Sequence, residues 1–233
     1  MDYQNRHVVV TGGTGALGVA VVGALLAAGA VCHIPYRNKE EAQRFAHRDH
    51  KQAALVALAD LGDEAAIARF YGGLDTLWAS IHIAGSFAYA PIAQSGKAVL
   101  MAQLESNLVS ACLCSGAAVA AFKRAGGGGR IVNVAARQAL EPRLGANLTA
   151  YTAAKAGLAA FTIALAEEVA GEGILVNAIA PSIMDTPANR RAMPKADFNT
   201  WPKVEEVAAT VLFLASPHNT VTRGAVVSTY GRA

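Results

Sequence analysis

The sequence predicts an α/β fold: a doubly wound parallel sheet with helices on both faces. Three observations predict it. Short apolar runs alternate with longer helical stretches along the chain, the first run breaks into a glycine-rich turn that opens a helix, and no repeat or linker interrupts the pattern. At 233 residues, 53% hydrophobic and 16% charged, the chain is long enough for one domain, spanning 1–233, and has the composition of a compact soluble protein.

The elements follow in order. The run that starts at His7 breaks at Thr11-Gly-Gly-Thr-Gly-Ala-Leu-Gly18 and leads into an alanine-rich helix reaching Ala28. Glycines let the backbone adopt left-handed angles and approach a pyrophosphate closely, while the helix that follows offers unpaired N–H groups and a positive dipole end. Further apolar runs at 31–36, 53–58, 76–83, 130–135, 174–180 and 225–229 are predicted strands, and the longest helices are predicted at 97–123 and 149–170. Right-handed crossovers then place ligands at the C-terminal ends of the strands. The least regular stretch runs from Pro181 to Pro202, and 182–202 is expected to cover the substrate.

Composition excludes several classes. The net charge of +3 is spread without a basic run, which argues against nucleic acid as a partner. No apolar stretch of spanning length is free of polar interruption, and Met1-Asp-Tyr-Gln-Asn-Arg leads straight into a strand, so a cytoplasmic protein without a membrane partner is expected. Cys32, Cys112 and Cys114 read as small buried hydrophobes. With six scattered histidines, no metal site is expected.

Tyr151 and Lys155 are four residues apart, so on a helix they share a face, a phenol beside an ammonium. A neighbouring positive charge stabilises a phenolate and lowers the tyrosine pKa, which is a way to build a general acid. A nucleotide-type loop at the start of the chain makes that pairing far more specific.

Together these motifs resemble the short-chain dehydrogenase/reductase family, over nearly the whole chain. Thr11–Gly18 resembles its cofactor loop, Ala59-Asp60-Leu61 its adenine-contacting Asp, Ala84-Gly85 part of its Asn-Asn-Ala-Gly turn, and Val176–Pro181 through Thr186 the segment over the nicotinamide. The resemblance implies a Rossmann-type domain in which Tyr151, Lys155 and Asn107 are catalytic. It implies that Gly12, Gly13, Thr14, Leu17 and Gly18 line the dinucleotide, with Asp60 at the adenine and Ala84 and Gly85 near the ribose. Pro181, Met184 and Thr186 then lie at the nicotinamide, with Met184 and Thr186 reaching its carboxamide and the phosphates. It further implies transfer of the pro-S hydride to a small-molecule substrate, a water held by Asn107, and a homodimer or homotetramer built through helices 97–123 and 149–170.

The end of the second strand, Val31-Cys-His-Ile-Pro-Tyr-Arg-Asn-Lys39, bears on the cofactor. A carboxylate there would accept from the adenosine ribose and repel a 2′-phosphate. Arg37 and Lys39 stand there instead, so NADP(H) is favoured over NAD(H), unless Glu40 and Glu41 neutralise both cations.

Departures from the family narrow the acceptor. Ala136 aligns with the serine that usually bonds the substrate carbonyl, Ile83 replaces the second Asn of the turn, and the stretch from Ala136 to Tyr151 is longer than usual. Asn133 reads as structural, leaving Thr149 and Thr152 as the nearby hydroxyls. The dihydropteridine reductase branch manages without that serine because a quinonoid dihydropteridine needs less polarisation, and Asp185-Thr-Pro-Ala-Asn-Arg-Arg-Ala-Met-Pro-Lys-Ala-Asp-Phe-Asn-Thr-Trp201 resembles its loop. Against that branch stands Arg37, where an acidic residue and NADH preference are typical. The alternatives are a general carbonyl reductase and an NADP(H)-binding redox sensor or inactive subunit, which would have no evident use for Tyr151.

Overall fold

The computed structural model describes residues 1–233. Seven strands form one parallel sheet: β1 (His7–Thr11), β2 (Val31–Tyr36), β3 (Ala53–Ala57), β4 (Ala79–His82), β5 (Gly129–Val134), β6 (Ile174–Pro181) and β7 (Val226–Thr229). Their order is β3-β2-β1-β4-β5-β6-β7. The chain therefore winds outward from β1 to β3, returns to set β4 beside β1, and winds the other way. That reversal opens a crevice at the C-terminal ends of β1 and β4.

The larger helices are α1 (Ala16–Ala27), α2 (Lys39–Arg44), α3 (Glu64–Gly72), α4 (Lys97–Leu104), α5 (Ser110–Arg124), α6 (Arg137–Leu140), α7 (Thr149–Glu168), α8 (Pro187–Ala192) and α9 (Val204–Ala215). Strand β1 explains why both sheet faces are covered, since successive side chains of a strand point to opposite faces. Val8 and Val10 pack with Leu17, Val21 and Leu25 of α1 and with Val207 and Val211 of α9. Val9 packs instead with Ile67 and Tyr71 of α3, Phe122 of α5 and Leu165 of α7. Each such buried side chain contributes about 1.5–3 kcal/mol.

Most strands lie within a residue of their predicted runs, but β4 spans only Ala79–His82 rather than 76–83. Its register with β1 begins at Val8↔Ala79, just after Trp78, whose amide donates to the His7 carbonyl at 2.8 Å. The long helix predicted at 97–123 is continuous to Arg124 but contains a π-helical turn at Glu105–Val109. Lys97–Arg124 and Thr149–Glu168 are also long and apolar enough to cross a membrane by length and composition, contrary to expectation. Their apolar residues, among them Ala118, Phe122, Leu165 and Ala166, are part of the core against the sheet.

A buried polar chain crosses the sheet on the α3–α5–α7 side. Ser80 and His82 share one face of β4, and Asn133 of β5 stands opposite His82 in register. Asn133 Nδ2 donates to Thr162 Oγ1 (2.9 Å), so its Oδ1 accepts from His82 Nδ1 (2.8 Å). His82 Nε2 then accepts from Ser80 (2.8 Å), whose oxygen accepts from Tyr71 (2.7 Å). Every link has one donor only when the imidazole is neutral.

Desolvation accordingly pulls the His82 pKa from 6.5 down to about 4. Between those values the unfolded chain takes up a proton that the folded chain refuses, so stability is lost as pH drops through this window and is unaffected by this group above it. The slope from His82 is up to about 1.4 kcal/mol per pH unit. His33, pushed down to about 4 by burial and by His7, acts in the same direction. Urea titrations at pH 7 and pH 5 are expected to show a smaller stability loss in His82→Asn than in the wild type; an unchanged loss would remove His82 as a cause.

Candidate active site

The loop between β1 and α1 is shaped by close backbone approach. Gly12 has φ +68, and a Cβ on it would sit 2.6 Å from the Ala84 nitrogen; a Cβ on Gly18 would sit 2.1 Å from the Gly12 carbonyl oxygen. Only glycine fits either position. The N-cap of α1, Gly15, supplies no side-chain hydrogen bond, and the first turn carries no acid. The positive end of α1 is thus left to an external anion, as a pyrophosphate requires.

Two of the predicted loop residues have their side chains engaged within the protein. Leu17 is 4% exposed and belongs to the core beneath the loop, so its side chain does not line a dinucleotide. An apolar residue in the first turn of a helix packed on a sheet turns inward, and only its backbone remains available. Thr14 directs its hydroxyl to Glu41 Oε2 at 3.3 Å. Gly13 is buried, with its α-carbon close against Ile34 and Val22.

Beyond β2, Arg37 is exposed, and Lys39 begins α2, which Asn38 caps through the Glu40 and Glu41 amides. Glu40 pairs with Arg44 at 3.3 Å rather than with Arg37 or Lys39. The neutralisation considered from the sequence therefore does not occur through Glu40. Asp60 is exposed just past β3, its Oδ1 accepting from the Gly62 amide at 2.8 Å.

At the C-terminal ends of β4 and β5 the structure brings together Gly85, Asn107 and Lys155. A Cβ on Gly85 would lie 2.5 Å from Asn107 Oδ1 and 3.5 Å from Lys155 Nζ. Asn107 lies in the π-helical turn, where the added residue reorients the helix face. Its Nδ2 donates to the carbonyls of Ser86 (2.9 Å) and Gln103 (3.1 Å). Its Oδ1 is buried without a partner, an acceptor waiting for a donor such as a water or a ribose hydroxyl. Ala84 is held beside this group, its amide donating to Thr11 Oγ1 at 3.4 Å.

Tyr151 and Lys155 share the first turns of α7. Lys155 Nζ donates to the Val134 carbonyl (2.7 Å) and lies 5.9 Å from the Tyr151 ring centroid. Burial pulls the Lys155 pKa down to about 8 and pushes that of Tyr151 up to about 12. This corrects the expectation that the ammonium lowers the phenol's pKa, because desolvation outweighs a cation already engaged by a carbonyl. Tyr151 holds its proton firmly at neutral pH.

Ala136 is buried and forms the N-cap of α6, which with the 3-10 turn Pro142–Gly145 accounts for the lengthened stretch before Tyr151. Neither threonine replaces a serine there by contact with Ala136. Thr149 is exposed, and Thr152 Oγ1 is buried against Gly145 without a partner. Asn133 is structural, as read from the sequence.

The segment after β6 is stapled to itself. Thr186 caps α8 by accepting from the Asn189 amide (3.2 Å), Asn189 Nδ2 donates to the Met184 carbonyl (2.8 Å), and Asp185 takes a bidentate bond from Arg190 (2.6 and 2.7 Å). Pro181 closes β6 and is buried. A groove of about 930 Å³ lies past this segment, lined by Arg190, Trp201, Lys203, Tyr230 and Arg232 among others, and does not include Tyr151 or Lys155. Sequence reasoning missed Gln103 and Phe87. Gln103 carried a signal, being one helical turn before Asn107. Phe87, whose ring meets that of Tyr151 at 5.2 Å and 72°, carried none beyond following the Ala84-Gly85 turn.

A doubly wound sheet with a glycine-shaped anion loop, an orphaned acceptor and a Tyr/Lys pair at its strand ends defines a dinucleotide-dependent oxidoreductase. Residues 6–197 match the family model described as short chain dehydrogenase; the chain belongs to that family and is an NAD(P)-dependent oxidoreductase. It is 32% identical to cis-4-hydroxycyclohexanecarboxylate dehydrogenase of Sinomonas cyclohexanicum, over 98% of this chain and 96% of that one. Among solved structures, a short-chain type dehydrogenase/reductase from Mycobacterium ulcerans superposes with a TM-score of 0.89 at 23% identity, covering 100% of this chain and 90% of the other. ElxO with NADP bound superposes at 0.87 and 21% identity, covering 98% of each.

Proposed function

We propose that this chain is a reductase that uses NADPH in preference to NADH and delivers a hydride and a proton to a small, electron-poor unsaturated acceptor, of which a quinonoid dihydropteridine is the leading candidate. The observation that carries the reading is the convergence of Gly85, Asn107 Oδ1 and Lys155 Nζ beside a protonated Tyr151. When bound, the reduced nicotinamide supplies the hydride. Tyr151 donates the proton from its hydroxyl. Lys155 holds the ribose and stabilises the phenolate left behind, and Asn107 Oδ1 holds a water from which Tyr151 is reprotonated. Gly12, Gly13 and Gly18 let the loop approach the pyrophosphate, the Leu17 and Thr14 backbone adding N–H groups, while Asp60 reaches the adenine. Pro181, Met184 and Thr186 bound the nicotinamide end, and 182–202 covers the acceptor. The exposed Leu100, Met101 and Ile163 on α4 and α7 support association through these helices as a dimer or tetramer.

Arg37 carries the cofactor preference. Its guanidinium is exposed, and a charge-assisted bond to a 2′-phosphate is worth ~1.5–3 kcal/mol, or about 10- to 100-fold in affinity. Calorimetric titration is expected to give tighter NADPH than NADH binding in the wild type and the reverse order in Arg37→Asp. Equal affinities in the wild type would count against the proposal.

Ala136 carries the acceptor class. With no hydroxyl at this buried position, a plain ketone lacks a second donor beside Tyr151 for its developing alkoxide, a deficit of ~2.7–4 kcal/mol where such a donor is well placed. An activated acceptor does not need one. The Ala136→Ser variant is therefore expected to raise kcat/KM for simple ketones by about tenfold, below the full effect because the longer loop displaces the new hydroxyl, with little gain for the activated acceptor. Equal improvement on both would indicate a carbonyl reductase with a damaged site.

A further inference from the structure

We infer that Phe87 is a stacking platform beside the proton donor, which makes this enzyme select flat, conjugated ring acceptors over saturated ones. The inference rests on Tyr151 being the proton donor and deepens that reading by naming the shape of the acceptor. Phe87 is 63% exposed although its ring meets that of Tyr151 in a T-shaped contact at 5.2 Å. The contact covers part of the ring and leaves the rest open beside the phenol, where a flat ring bound next to Tyr151 would stack on it.

The platform is rigidly held. The carbonyl of the preceding residue, Ser86, accepts from Asn107 Nδ2 at 2.9 Å, and its hydroxyl bonds Ser106 (2.6 Å) and accepts from Gln103 Nε2 (3.0 Å). On the other side the Ala90 amide donates to the Asn147 carbonyl at 2.9 Å, tying this loop to the one that precedes α7. The same Asn107 amide group thus fixes the backbone of the aromatic residue and sets its own oxygen toward Lys155. A face fixed this way loses little entropy when a flat ring stacks on it. A saturated ring, puckered and without a π-system, gains only part of that contact.

The test compares Phe87→Ala and Phe87→Trp with the wild type, using 1,4-naphthoquinone and cyclohexanone as acceptors and equilibrium binding of 1-naphthol to the NADP⁺ complex. Phe87→Ala is expected to weaken naphthol binding and raise the KM for naphthoquinone by about twofold to tenfold, the range of one aromatic stacking contact. The ratio of kcat/KM for naphthoquinone over cyclohexanone falls accordingly, and Phe87→Trp restores both. Loss of kcat on both acceptors alike, with a shifted pH profile, would overturn the inference by showing that Phe87 only props Tyr151. Conversion of an oligomer to a monomer by Phe87→Ala would overturn it by showing that a second copy covers the ring. If the wild type reduced neither acceptor yet bound naphthol through Phe87, the platform would stand and the reductase reading would fail.

Discussion

Tyr151→Phe is expected to lower kcat by ~10²–10⁴-fold, the range for removal of a positioned general acid. The NADPH dissociation constant should change by less than about twofold, because an interaction used only in the transition state is lost. The structure supports both halves. Burial keeps the phenol protonated, with its pKa pushed up to about 12, and the ring's T-shaped contact with Phe87 is one that phenylalanine retains. Single-turnover rates alongside fluorescence titration of NADPH separate the two quantities. Retention of near wild-type turnover on the best acceptor would mean that the phenol is not the acid.

Lys155→Ala is expected to damage binding and chemistry together, with kcat/KM falling ~10³-fold or more. In the proposed role the ammonium would contribute one charge-assisted hydrogen bond to the cofactor, worth ~1.5–3 kcal/mol, and the positive charge that a tyrosinate needs. Its removal also leaves the Val134 carbonyl, now bonded at 2.7 Å, without its donor. A buried orphan of that kind costs about 1–3 kcal/mol of stability. Lys155→Met, which keeps most of the volume while losing the charge and the donor, is the control for collapse of the site. A Lys155→Met protein that bound NADPH as tightly as the wild type would contradict the role assigned to the ammonium.

Much of the site was legible because its chemistry is written in residue types with strong backbone or helical constraints. The glycine loop announced a close approach, and the structure puts the Gly12 α-carbon within a methyl's reach of Ala84. Tyr151 and Lys155 could be placed on one face because a helix repeats every 3.6 residues. Strand positions followed from apolar runs, except at β4, whose length depends on where its partner β1 begins. That is pairing information, absent from a single segment.

The remainder depends on distance across the fold. Leu17 was read as lining the cofactor by motif, whereas packing on the sheet turned it into the core. The phenol's pKa was read from its neighbour in sequence, but desolvation comes from every element packed around it. The chain from Tyr71 through Ser80, His82 and Asn133 to Thr162 joins five residues from four elements, each polar group looking unremarkable alone. The π-helical turn that aims Asn107 leaves no composition signal in an otherwise helical run.

The central claim is that Tyr151 protonates an activated, flat acceptor as a hydride arrives from NADPH. The most direct measurement is steady-state NADPH oxidation by the purified protein against quinonoid dihydropteridine and a panel of quinones and simple ketones, with the rates from NADPH and from NADPH deuterated at the transferred position compared for each acceptor. The account predicts a primary isotope effect with the pteridine or quinone, efficiencies for these above those for the ketones, and loss of turnover in Tyr151→Phe. Oxidation of NADPH with no acceptor, or simple ketones reduced best with Tyr151→Phe still active, would contradict it.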